Sequence, residues 1–131
     1  MTDRETLDRS IRCLHAARLA GDLPALCALF SPQAQFRVAG SSHGQPISMA
    51  AHGGDEIRLW LSVLVRTFRL SDYELLSLLI DGAAAAVHWR ARIHSKVTGL
   101  TVATELVDLV QMDGQRIGSY TEFFVPRSMS P

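Results

Sequence analysis

With 131 residues, 47% of them hydrophobic and 20% charged, the chain has the size and composition of one globular domain with one substantial core, not of a disordered segment. Basic and acidic residues balance at 13 each, which leaves no electrostatic footprint for nucleic acid or an anionic membrane. No apolar run is long enough to span a bilayer, and the opening MTDRETLDRS is too polar for a signal peptide, so a cytoplasmic protein without a membrane partner is expected.

The first half reads as helical. Leu7, Ile11, Leu14 and Ala17 recur at helical spacing, which predicts an amphipathic helix over about residues 4–20, ended by Gly21. Asp22 can cap a second helix, LPALCALF, with Pro24 in its first turn and Ser31-Pro32 as its stop. Cys13 and Cys27 fall in these helices without metal-type spacing, and are expected as small buried residues in a reducing compartment. AQFRVA predicts a short strand, Phe36 and Val38 on one face and Gln35 and Arg37 on the other. The stretch GSSHGQPISMAAHGG is long for a connection, so the segment 39–54 is expected to cover something or to move, as a lid would; its His43 and His52 could reach a pocket mouth, although loop histidines are usually solvated. Asp55 then caps a third helix with Ile57, Leu61, Leu64 and Phe68 on its core face and Trp60 at the edge.

The second half reads as strands. YELLSLLI, AAAVHWRARIHSKV, LTVATELVDLVQM and RIGSYTEFFV are separated by Asp-Gly, Thr-Gly and Asp-Gly. Asp-Gly between two such runs signals a hairpin, because a type I′ turn needs positive φ. Helices followed by a meander make an α+β domain, its helices on one face of the sheet, spanning 1–131 without internal boundary.

Alternation assigns the strand faces. In the third long strand Val102, Thr104, Leu106, Asp108, Val110 and Met112 share the more apolar face, opposite Glu105. In the strand before it Val87, Trp89, Ala91 and Ile93 face the core; His88, Arg90, Arg92, His94 and Lys96 face outward, where Glu105 can pair with one of the arginines. In the last strand Tyr120, Glu122 and Phe124 share one face and Ile117, Ser119, Thr121 and Phe123 the other. Aromatic groups on both faces are what a sheet packed against another subunit carries.

Asp108 is thus a carboxyl on a core face. Removal from water disfavours the charged form of a carboxyl, and a carboxyl poised near neutrality can trade protons with an activated carbon. Equally, Asp108 can hydrogen-bond a neighbouring Tyr, Trp or backbone group and serve structure alone. Glu122 is a second candidate, or a solvated residue near the chain end. No His/Cys/carboxylate set stands at ligand spacing and no Gly-rich phosphate loop follows a strand, so neither metal nor nucleotide cofactor is expected.

The segments AARLAGDLPALCALFSPQAQFRV, AAVHWRARIHSKVTG and DGQRIGSYTEFF together resemble the SnoaL-like branch of the nuclear-transport-factor-2-like superfamily over nearly the whole chain. The resemblance implies a strongly curved mixed or antiparallel sheet wrapped around N-terminal helices, a cystatin-like cone or α+β barrel. It also implies a pocket for a small apolar molecule and a homodimer through the outer sheet face. It puts Leu14, Phe36, Val38, Trp60, Trp89, Leu106, Tyr120 and Phe124 on the pocket wall. Relatives that are steroid isomerases use an Asp base and an oxyanion hole of Tyr and protonated Asp. Their base and Tyr positions hold Val38 and Leu14 here, and only Asp108 survives. Epoxide hydrolases use two carboxylates and an Arg; Glu122 and Arg90 match two of these, but Arg92 stands at the third and Arg90 points outward. Polyketide cyclases, with a single Asp as acid/base on the strand that carries Asp108, depart least. The resemblance therefore implies a cofactor-free cyclase, isomerase or lyase acting on an apolar carbonyl compound, or else a non-catalytic ligand-binding or dimerisation module.

Overall fold

The computed structural model describes residues 3–42 and 45–126; His43 lies outside them. Helix α1 (Asp3–Ala20) buries Leu7, Ile11, Leu14 and Ala17, the stripe its periodicity predicts. Gly21 follows at φ +69°, the left-handed conformation that ends a helix cheaply only at glycine. Helix α2 (Leu23–Ala28) is capped by Asp22, whose Oδ1 accepts from the Ala25 N–H at 3.1 Å. It closes at Leu29, short of the expected stop, because strand β1 (Phe30–Ser42) begins at Phe30 and runs through Pro32.

The Gly/Ser/Ala-rich segment is not a covering loop. Its residues complete β1 and form β2 (Gln45–His52), which pairs antiparallel with β1 from Gln35↔His52 to Ser42↔Gln45. Both partners are held by backbone bonds, which need no particular side chain. Helix α3 (Gly54–Thr67) starts from Gly53, at φ +86°, rather than from Asp55. Asp55 and Glu56 sit in the first turn, favourably placed for the helix dipole, and Glu56 reaches back to accept the His52 N–H at 3.0 Å. Ile57 and Leu61 are buried and Leu64 and Trp60 half-buried. Phe68 leaves the helix as the first residue of β3 (Phe68–Asp81) and is exposed.

Strands β3, β4 (Ala84–Ser95), β5 (Thr101–Asp113) and β6 (Arg116–Pro126) form the expected meander, with Gly82, Gly99 and Gly114 at positive φ in the three connections. Strand β6 then pairs parallel with β1, giving a six-stranded mixed sheet in the order β2-β1-β6-β5-β4-β3. The two ends do not meet, so the sheet curves without closing into a barrel. Bulges in β1, β3 and between β5 and β6 bend it. The last of these shifts the register at Gly118: Gln111 faces Ser119 but Met112 faces Ile117. Simple alternation puts Ile117 on the outer face; the extra residue turns it into the core.

The core lies between the helices and the concave sheet face. Phe36, Val38, Val87, Trp89, Ala91, Leu106, Val110 and Tyr120 fill it from the strands, and each fully buried large apolar side chain contributes about 1.5–3 kcal/mol. Cys13, by contrast, is exposed on α1 and Cys27 half-buried on α2, because both fall off the apolar stripes.

Candidate functional site

On the central strands the alternation that buries Leu106 and Val110 also buries Asp108, at 0% exposure. Across the ladder its register partner on β6 is Glu122, 4% exposed and not solvated as a residue near the chain end can be. Opposed residues of an antiparallel pair have Cβ atoms about 4.5–5.5 Å apart, so two carboxyls occupy one small region of the core.

Each is met by groups from α1. The helix stripe through Leu7, Ile11 and Leu14 also carries His15, one turn after Ile11, and Arg18, one turn after Leu14. His15 is 2% exposed. Its Nε2 lies 3.1 Å from Asp108 Oδ2 and its Nδ1 2.6 Å from the Tyr73 hydroxyl. Trp89 Nε1 donates to the same Oδ2 at 2.8 Å, and the Tyr120 hydroxyl donates to it in a short hydrogen bond. Three groups from α1, β4 and β6 thus converge on one oxygen. The other, Oδ1, is buried without a hydrogen-bond partner, alone in this among the buried side-chain polar atoms of the described residues. An unpaired buried acceptor is costly, about 1–3 kcal/mol, and so marks a place where a further donor fits.

Arg18 Nη1 donates to Glu122 Oε1 in a short, largely buried ion pair, with its guanidinium 5.4 Å from the centroid of the Trp89 ring. Burial pushes the Glu122 carboxyl up to about 7; Arg18 opposes this, and Asp108 adds to it. Burial works against the charge on Arg18 too, but the surrounding Glu122, Tyr120 and Asp108 outweigh it and the guanidinium stays charged. The Tyr120 phenol is pushed well up by burial and by Asp108 and Glu122, so it stays a donor.

The structure places the residues that the resemblance puts on a pocket wall in and against the hydrophobic core. Leu14, Phe36, Val38, Trp89, Leu106 and Tyr120 are buried in the core that surrounds the two carboxyls, and Trp60 and Phe124 are half-buried against it. Phe36 stacks on Tyr120 with ring centroids 5.5 Å apart, which fixes the phenol. Asp108 is buried, and two surface depressions, at Asp8, Arg12 and Ala16 on α1 and at Cys27, Pro32 and Arg58 between α2 and α3, do not reach it. The outer face holds Arg90, paired with Glu74 at 2.6 Å, and Glu105, whose partner is His88 at 2.7 Å rather than an arginine. His94 bonds the Thr101 hydroxyl, and His52 is exposed on the edge strand. Among the described residues no group of His, Cys, Asp and Glu is arranged to hold a metal ion, and no helix is long and apolar enough to cross a membrane.

His15, Arg18 and Tyr73 are not among the residues singled out by sequence. The signal for the first two was present: a wheel that admits polar side chains places both on the buried stripe of α1. Tyr73 depends on an irregularity in β3 that alternation does not reveal.

A family model described as a SnoaL-like domain matches residues 11–120. No curated protein matches the chain. Among solved structures, a candidate isomerase from Bacillus subtilis superposes with a TM-score of 0.81 at 18% identity, covering 95% of this chain and 89% of that one. An NTF2-like protein from Burkholderia xenovorans gives 0.74 at 17% identity, covering 92% and 89%. An LEH-like epoxide hydrolase of M. tuberculosis gives 0.70 at 16% identity, covering 92% and 83%. At such identities these neighbours show a common cone fold, which hosts many chemistries.

Proposed function

The chain belongs to the SnoaL-like domain family, and from that premise we propose that it binds a small apolar carbonyl compound and moves protons on it without a cofactor, as a cyclase, isomerase or lyase does, with Asp108 and Glu122 as the exchanging groups. The observation that carries this reading is the orphaned Asp108 Oδ1, set across the ladder from a carboxyl that titrates at about 7. Oδ2 is occupied by His15, Trp89 and Tyr120, which leaves Oδ1 as the oxygen free to meet a ligand. A carbon acid beside the carbonyl gives its proton to Oδ1, while protonated Glu122 gives its own to the carbonyl oxygen. The result is an enol, one proton gained by Asp108 and one lost by Glu122. Return of a proton to a different carbon, or attack of the enol carbon on a second carbonyl, completes an isomerisation or a ring closure. A group with its titration near the working pH serves both halves of such a cycle, and positioned proton transfer contributes on the order of 10²–10⁴-fold. Trp60 and Phe124, only half-buried against the core, are the side chains that would have to move aside for a ligand.

The apolar, buried Leu14 and Val38 leave no base or second oxyanion donor of the steroid-isomerase kind. Arg90 is engaged outside by Glu74, which supports setting aside the epoxide-hydrolase match through that residue.

The test is deuterium exchange at the acidic C–H of 2-tetralone and related apolar ketones in D2O. The wild type is expected to exchange well above buffer, and Asp108→Asn at the buffer rate with ligand affinity kept. Exchange unchanged in Asp108→Asn defeats the assignment. A second reading, a non-catalytic ligand-binding or dimerisation module, is favoured by the burial of Asp108 and by the way its Oδ2 ties α1, β4 and β6 together. It predicts that no probe is exchanged and that Asp108→Asn costs stability alone.

A further inference from the structure

Strand β3 is irregular in two places, between Ser71 and Glu74 and between Leu75 and Ser77. At the first, Asp72 has φ +50°, the one non-glycine residue with positive φ among the described residues. Such a conformation is strained and persists where its surroundings enforce it. Its consequence is directional. With Leu70 facing the core, plain alternation turns Asp72 inward and Tyr73 out. The bulge reverses them: Asp72 is exposed and reaches Arg92 at 3.3 Å, and Tyr73 turns in to meet His15. Bulges beside functional sites commonly re-aim one side chain in this way.

The hydrogen bonds then form a continuous chain. The hydroxyl of the half-buried Tyr73 touches His15 Nδ1, and His15 Nε2 touches Asp108 Oδ2. The imidazole is held by two rings, 5.2 Å from Tyr73 and 4.6 Å from Trp89 between centroids. From these contacts we infer that Tyr73 and His15 are a proton relay between solvent and Asp108, the route by which the buried acid/base is reset. The inference rests on the proton-transfer reading above and adds the path that reading lacks, since Asp108 itself has no exposed atom.

Each passage balances. The ligand's proton is exchanged at Oδ1 and His15 meets Oδ2, so a half-turn of the protonated carboxyl carries the proton from one position to the other. Outward, the proton so presented passes from Asp108 to Nε2, Nδ1 passes its own to the Tyr73 oxygen, and the phenol releases its proton to water. The carboxylate is regenerated and the imidazole is left as the Nε2–H tautomer. Inward, water protonates the phenol oxygen as the phenol proton moves to Nδ1, and Nε2–H protonates Asp108. One passage prepares the tautomer that the other uses, and the imidazole stays neutral at the end of each.

The experiment follows 2-tetralone exchange in D2O for the full chain, with Tyr73→Phe and His15→Ala beside the wild type. Exchange into the ketone requires the proton on Asp108 to be traded with solvent. Tyr73→Phe keeps the ring and removes the hydroxyl; it is expected to lose about 10²-fold in exchange, the lower end of what positioned proton transfer contributes. His15→Ala is expected to lose at least as much and to recover with added imidazole, while imidazole leaves Tyr73→Phe unchanged. Circular dichroism and thermal midpoints establish that both variants are folded, and a purely structural role for His15 would not respond to imidazole. Wild-type exchange with undiminished rates in both variants overturns the relay and leaves the acid–base assignment standing. A wild type that exchanges at the buffer rate removes that assignment, and the relay with it.

Discussion

Glu122 is where burial and pairing oppose each other most directly. Its carboxyl moves from an ordinary 4.5 to about 7, chiefly through burial and despite Arg18. A carboxyl raised in the folded state binds its proton more tightly there than in the unfolded chain. Between about 4.5 and about 7 the folded state therefore holds a proton that the unfolded state has released, and stability falls as pH rises through that window. Above it the full penalty is present, about 3 kcal/mol by linkage. In urea unfolding, the wild type is expected to lose stability between about pH 5 and about pH 8, and Glu122→Gln to lose less by about that amount. Equal losses in the two proteins refute the assignment. At this scale the sequence was partly legible. Asp108 stood out because a carboxyl on an apolar strand face breaks the pattern. His15 and Arg18 were hidden because the eye follows Leu7, Ile11 and Leu14 and passes over polar residues one turn further along the same stripe.

At the scale of the elements, the parallel contact between β1 and β6 is what sets Phe36 and Val38 beside Tyr120 and Glu122. Gly40 is the register partner of Phe124 there, and a Cβ at Gly40 would lie 2.5 Å from the Phe124 carbonyl oxygen and 2.7 Å from two of its ring carbons. Since a backbone atom cannot swing away, Gly40→Ala must part the two strands. It is expected to destabilise by about 1–3 kcal/mol, read as a lower thermal midpoint, with the largest spectroscopic change in the aromatic signals of Phe124 and its neighbours. An unchanged midpoint would mean that β1 and β6 are spaced differently from this. The three strand connections were legible because Gly82, Gly99 and Gly114 each need positive φ. The β1–β2 hairpin was not, since Gly, Ser and Ala have little preference of their own and a backbone ladder asks nothing of them. Bulges at Tyr73 and Gly118 were equally invisible: one extra residue inverts the alternation on which face assignment depends.

For the whole molecule, the fold class and the β3–β6 meander followed from the order of helices, strands and turns, and the outer face of that meander has a character of its own. Rows of register partners cross it: Leu79, Ala86, Leu109 and Thr121 in one, Ser77, His88, Val107 and Phe123 in the next. Leu79, Leu109, Phe123 and Val125 are exposed by 67%, 46%, 41% and 64%, and form an apolar band too large to be scattered surface residues. Beside it lie the Glu74–Arg90 ion pair and the hydrogen-bonded His88 and Glu105. An apolar centre bordered by both signs of charge is self-complementary, as a two-fold interface requires, because each copy offers the other the same patch. We infer a homodimer through this face. Sedimentation at micromolar concentration is expected to give twice the chain mass of 14.4 kDa. Leu109→Glu, which sets an unpaired charge in the middle of the band, is expected to give the single-chain mass with the fold intact. A wild type that sediments as one chain refutes the homodimer. A Leu109→Glu variant that stays dimeric would place the interface elsewhere.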